Sequence, residues 1–164
     1  MNVRAARPGE WSRLRDIRLR ALLDVPDAFG QTHDEVAAAP EEDWRAWIED
    51  WPGSHVHVTF VAEADDRWIG MAVGDVHDPD ADHAHLFAMW VDPSERGAGV
   101  GRALVETSLG WAREQGVSEI HLTVAESNQA AQTLYERFGF IRTGGTRPIR
   151  EGSSLRCAEM ELAL

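Results

Sequence analysis

Three glycines alternate at Gly97, Gly99 and Gly101, with Arg96 in front of them and Arg102 behind. They follow Leu86–Val91, a short apolar run rich in large side chains, and Asp92-Pro93-Ser94, where proline ends any strand ladder and favours a turn. From Val100 an apolar pattern of helical period begins. Strand, glycine turn and helix start together present bare backbone N–H groups to an anion, and the helix dipole adds roughly half a positive charge there. The chemistry this spacing suits is the gripping of a pyrophosphate. Two familiar cradles do not fit. A dinucleotide fingerprint begun at Gly97 needs glycine where Arg102 stands, and a P-loop needs a lysine, which the chain lacks altogether.

Other groups could also do chemistry. His85 opens the apolar run, and its side chain titrates near neutral pH. Alternation along the run places His85, Phe87, Met89 and Val91 on one face. His77, Asp78, Asp80, Asp82, His83 and His85 invite a metal reading. As a calcium loop from Asp78 the stretch has His83 where glycine is needed and Met89 where glutamate is needed, so an acidic turn is the better account and no metal is expected. Cys157 is the one cysteine; it excludes an internal disulfide and reads as a packed thiol.

These residues need a scaffold. Asn2–Ala6 reads as a strand. A helix opened by Pro8-Gly9-Glu10 carries Trp11, Leu14, Ile17, Arg18, Ala21 and Leu22 on one stripe and stops near Asp24, ahead of Pro26. Pro26–Gly30 is a turn, and Glu41–Glu49 a second helix with Trp44, Trp47 and Ile48 on one face. Trp51-Pro52-Gly53 breaks the chain. His55–Ala64 and Trp68–Val76 form a hairpin through Asp65-Asp66, with Gly70 and Gly74 expected to weaken the return strand or mark bulges. Helix Val100–Gln115 follows the cradle, then strand Ser118–Val124. A helix capped by Ser127 or Asn128 carries Ala130, Ala131, Leu134, Tyr135 and Phe138. Phe140–Thr143 starts a strand, Gly144–Ser154 reads as a polar loop, and Leu155–Leu162 closes the sheet.

Composition bounds the function. At 164 residues and 43% hydrophobic, with no linker or repeat, residues 1–164 read as one mixed α/β domain. Sixteen arginines against twenty-eight acids leave a net charge of −12, which argues against nucleic acid and modestly favours a cationic acceptor. No segment has signal-peptide or membrane-span character, and a lone cysteine suits a reducing compartment, so a cytoplasmic location away from membranes is expected.

The segment Arg96-Gly97-Ala98-Gly99-Val100-Gly101 resembles motif A of the GCN5-related N-acetyltransferases, the GNAT superfamily. Asn128-Gln-Ala-Ala-Gln-Thr-Leu-Tyr-Glu-Arg-Phe-Gly-Phe is similar to that family's motif B, and the order of elements agrees along nearly the whole chain. The resemblance implies an acyl-CoA N-acyltransferase fold, a mixed but mostly antiparallel sheet flanked by about four helices. It implies acetyl-CoA as cosubstrate and a primary amine, small-molecule or peptide/protein, as acceptor, attacked directly in a ternary complex. Backbone at Met89, Trp90 and Val91 would pair with the pantetheine arm, Gly97 to Arg102 with Arg96 would hold the pyrophosphate, and Asn128 would bond the arm. Tyr135 would be the general acid. His85 stands where some members carry a glutamate base, with Glu126 and a water chain as other candidates. A homodimer, and a non-catalytic acyl-CoA-binding or sensing module, stay open as alternatives.

Overall fold

The chain is described from a computed structural model covering residues 1–49, 56–78, 80 and 82–164. His55, the Trp51-Pro52-Gly53 break and parts of the 78–82 turn lie outside the described residues. Seven strands among them form one sheet: β1 Asn2–Ala5, β2 Val56–Ala64, β3 Arg67–Val76, β4 His83–Val91, β5 Glu119–Ala125, β6 Ile141–Pro148 and β7 Arg156–Ala163. Their order is β1-β2-β3-β4-β5-β7-β6, antiparallel except between β4 and β5. Asp65 and Asp66 both take positive φ at the β2–β3 hairpin, as a tight two-residue turn requires.

Alternation sends side chains to two separate cores. On one face α4 (Val100–Glu114) and α5 (Gln129–Arg137) pack against Phe60, Ala62, Leu86, Ile120 and Leu122. On the other, α1 (Trp11–Asp24) and α3 (Glu41–Glu49) bring Leu14, Ile17, Trp44 and Trp47 onto Val61, Met71, Val73 and Trp90. Trp44 and Trp47 stack at 5.7 Å between ring centroids, and both are buried. A short helix not foreseen, α2 (His33–Ala37), starts at Thr32. Its five residues bury only Val36, too little for a helical stripe to show in the sequence.

Two expectations are corrected, and that for the β3 glycines holds only in part. Gly70 and Gly74 serve close packing: a Cβ at Gly74 would lie 2.6 Å from the Trp111 ring of α4, and one at Gly70 would lie 3.0 Å from Val100 and Leu104. A bulge does sit beside Gly70, where Ile69 has no partner in β2. The first part of the supposed loop Gly144–Ser154 is strand, since β6 runs to Pro148 and pairs Arg147 with Cys157 after a register break between Arg142 and Thr146. Last, simple alternation fails in β4. Ala88 has φ +50, and two residues of β4, Ala88 and Met89, stand opposite Ala72 alone, so a bulge resets the facing. Met89 and Val91 therefore join the α4–α5 side with Leu86, while His85 and Phe87 stay on the opposite face.

Candidate functional site

The bulge coincides with a parting of strands. β4 and β5 pair from His83↔Glu119 to Leu86↔Leu122 and no further. Beyond Ala88 the β5 side of β4 is open, and the gap widens into a cleft of about 930 Å³. All the predicted cofactor-binding residues except Ala98 line it, and so does Tyr135; His85 does not. One wall that the sequence did not point to is the segment Asp24 to Ala28, at the end of α1 and in the 3-10 turn Pro26–Ala28.

At the mouth of the cleft stands the N-terminus of α4. Its cap is Gly99 at φ +87, which has no side chain to satisfy the first N–H groups, and the first turn holds no acid. Gly97 is also left-handed at φ +81, with nothing near where a Cβ would be, so both positions need glycine for conformation. Gly101 differs: its absent Cβ leaves room for Leu134 and Met89, at 3.2 and 3.4 Å. Arg96 is partly spent, since its Nε donates to the Val91 carbonyl at 3.1 Å and its guanidinium pairs with Asp24. The same Asp24 oxygen accepts from Trp90 Nε1 at 2.8 Å, tying α1 to β4 across the cleft floor. Arg102 pairs with Glu106 at 2.8 Å on the exposed surface.

Deeper in, Tyr135 is 6% exposed, and its hydroxyl donates to Met89 Sδ at 3.3 Å. Burial pushes its pKa above the ordinary phenol value, so the hydroxyl, protonated at neutral pH in any case, holds its proton more firmly. Asn128 caps α5, its Oδ1 accepting from the Ala131 N–H at 3.1 Å.

On the far face of the sheet His85 sits between Asp75 of β3 and His121 of β5 in register. Its ring centroid is 4.9 Å from that of His83 and 6.0 Å from that of His121. Burial first, then the neighbouring histidines, holds its pKa below the usual imidazole range, with Asp75 pulling the other way. Nearby, Glu119, His121 and Glu161 bring three potential ligand atoms within 4.8 Å of one another. Alternation hints at Glu119 with His121, but Glu161 joins them only through the β5–β7 register. Cys157 is buried, its thiol against the Arg147 carbonyl.

Solved structures share the overall fold in which the splayed parallel pair, the bulged strand and the glycine-led helix occur here. An acetyltransferase of the GNAT family from Streptococcus pneumoniae superposes over 99% of both chains with TM-score 0.83 at 23% identity. A putative acetyltransferase from Salmonella typhimurium, solved with acetyl-CoA, matches 100% of this chain and 94% of its own with TM-score 0.79 at 21% identity. The model of the Acetyltransferase (GNAT) family matches residues 13–140, and the chain belongs to that family. A mycothiol acetyltransferase of Thermomonospora curvata is 34% identical over 146 residues, 87% of this chain and 44% of the relative. The chain thus spans about half the length of the curated relatives it matches. No helix among the described residues is long and apolar enough to cross a membrane.

Proposed function

We propose that residues 1–164 form one domain that moves an acetyl group from acetyl-CoA to a primary amine by direct attack, in the cytoplasm. The observation that carries this is the uncapped, acid-free start of α4 beside the unpaired edge of β4. The helix end suits the pyrophosphate through the N–H groups of Gly97 to Arg102. The free edge from Met89 to Val91 suits an amide-bearing arm laid along it like an added strand. Arg96, held by Asp24, contributes its backbone more than its guanidinium, and Asn128 keeps its amide N–H₂ for the arm while its oxygen caps α5.

In the transfer the amine nitrogen bonds to the thioester carbon and the C–S bond breaks. The ammonium proton leaves before attack, and the thiolate needs one. Tyr135, kept protonated by burial, suits the second task. His85, kept neutral, suits the first from the opposite face, directly or through water. Holding the two reactants together supplies much of the remaining rate.

Thiol release with a panel of amines tests this. Tyr135→Phe should lower kcat about a hundredfold with little change in the acetyl-CoA KM, the scale of one acid–base group. An unaltered kcat removes Tyr135 from the chemistry. His85→Gln should lower kcat and abolish an acid-side limb that falls off below the ordinary histidine value of about 6.5, because a depressed pKa leaves His85 basic only above it. A limb surviving in the variant assigns the base elsewhere. Tight CoA binding with no amine-dependent release would instead favour a sensing module.

A further inference from the structure

The core beneath α1 holds one group that does not belong in an apolar cluster. Arg18 is 4% exposed, on the buried stripe of α1 among Leu14, Ile17, Ala21 and Leu22. Its Nε and Nη1 are sealed from solvent with no hydrogen-bond partner among the described residues. The guanidinium lies over the Phe29 ring at 4.4 Å and near the Trp47 ring at 5.7 Å, and it pairs with no carboxylate among the described residues. Desolvation alone pushes its pKa down to about 10, which still leaves it charged. Aromatic faces recover only part of what burying a cation costs, and leaving a buried charge unpaired costs more than they return. The Trp44 Nε1 and the Thr59 hydroxyl are also buried without partners among the described residues. The guanidinium itself lacks an acceptor there.

The segment that covers this cation also borders the reaction cleft. Asp24 to Ala28 form a wall of the cleft, and the next residue, Phe29, covers Arg18. Arg150 holds that segment from the β6–β7 connection by donating to the carbonyls of Pro26 and Phe29, at 3.2 and 3.0 Å. Along α1, six residues separate Arg18 from Asp24, about 9 Å of helix rise. A small acceptor lying against the far face of β4 with its amine by the cleft would have its other end near Phe29.

We propose that Arg18 is the receptor for a carboxylate on the acceptor, so that the amine acetylated belongs to a molecule of amino-acid type. This rests on the acetyltransferase reading above. A guanidinium clamped between aromatic rings presents a planar fork that matches a carboxylate in two parallel hydrogen bonds, a geometry lysine lacks. Phe29 gives way as the carboxylate enters, and the buried charge is then paired. The chain's net charge of −12 disfavours a carboxylate in general, even on a cationic amino acid, so a local buried cation is what recognition of that group requires.

Amino acids paired with their decarboxylated amines, lysine with cadaverine and ornithine with putrescine, give the test. The wild type should prefer the carboxylated member at least tenfold in kcat/KM. Arg18→Met should lower kcat/KM for that member about a hundredfold, chiefly through KM, leave the plain amines unchanged, and hold or raise Tm. Arg18→Lys should fold and lose most of the preference. Equal losses for both members together with a lower Tm would make Arg18 a packing residue and overturn the proposal. Thermal shift with the amino acids and no acetyl-CoA reads the site without turnover. Stabilisation of the wild type but not of Arg18→Met supports the carboxylate site even where no amine is acetylated, an outcome that sinks only the transfer reading. No stabilisation and no preference overturns the site.

Discussion

Helices α2 and α4 begin with the same difficulty, a first turn of N–H groups without helical partners, and meet it in opposite ways. At α2 the Thr32 hydroxyl accepts from the Glu35 N–H at 3.4 Å, and the Glu35 carboxylate accepts from the Thr32 N–H at 2.7 Å. Asp34 and Glu35 add negative charge where the dipole is positive. The end is closed by its own chain. At α4 the cap is a left-handed glycine, and Val100, Gly101 and Arg102 supply no acceptor in the first turn. A cap that a serine or aspartate would furnish is withheld beside the cleft. The end of α2 satisfies itself, whereas that of α4 is left without a side-chain cap, as the proposed pyrophosphate site requires.

Installing a closed end at α4 is the strongest way to break the contrast. Gly99→Asp puts an internal carboxylate where the pyrophosphate belongs, and the acetyl-CoA KM should rise about a hundredfold, the scale of lost charge-assisted hydrogen bonds. S-acetylpantetheine, which lacks the pyrophosphate, should be a poor donor for the wild type and suffer little further in the variant. Equal affinity of both proteins for CoA in calorimetric titration would sink the cradle. A smaller effect is expected from opening the closed end: Thr32→Ala should cost about 1 kcal/mol of stability in denaturant unfolding and leave acetyl-CoA kinetics alone. The smallest concerns pH. Hydrogen bonds from the Thr32 backbone, then its side chain, hold the Glu35 carboxyl below its ordinary pKa. A depressed carboxyl contributes stability above its unfolded value of about 4.3 and loses it as pH falls through the lower folded value. Below pH 4 the amide protons around Thr32 should therefore lose protection in hydrogen exchange. Protection of α4 should not follow the same titration, since no carboxyl caps it.

Much of this was readable along the chain. The glycines at 97, 99 and 101 announce a cradle because left-handed backbone and an uncapped helix are local properties. The alternation of Val56, Val58, Phe60 and Ala62 foretells their common face because a strand has period two. Helix α2 was missed although Thr32 and Glu35 spell a capping box, since a single buried valine leaves no periodicity to read. The bulge at Ala88 has no local signal, for alanine does not favour positive φ. It is imposed by pairing with β3, in register on both sides of one extra residue. Asp24 and Trp90 lie 66 positions apart, and nothing in either neighbourhood announces their hydrogen bond. Arg18 read as one more position on the stripe of α1, where long side chains commonly reach out to water; burial under Phe29 is a property of the assembled core.

By itself, then, the order of residues determined the strands and most of the helices, the glycine turn before α4 and the family, because these depend on neighbours within a few positions. Tertiary structure alone decided that β4 changes face at Ala88 and parts from β5 after Leu86. It also decided that Tyr135 meets Met89 and that the Arg18 cation is shut in without a counter-charge among the described residues. Each of those is set by strand register and by helices docking from distant parts of the chain, where free energy depends on which surfaces meet rather than on which residues are adjacent.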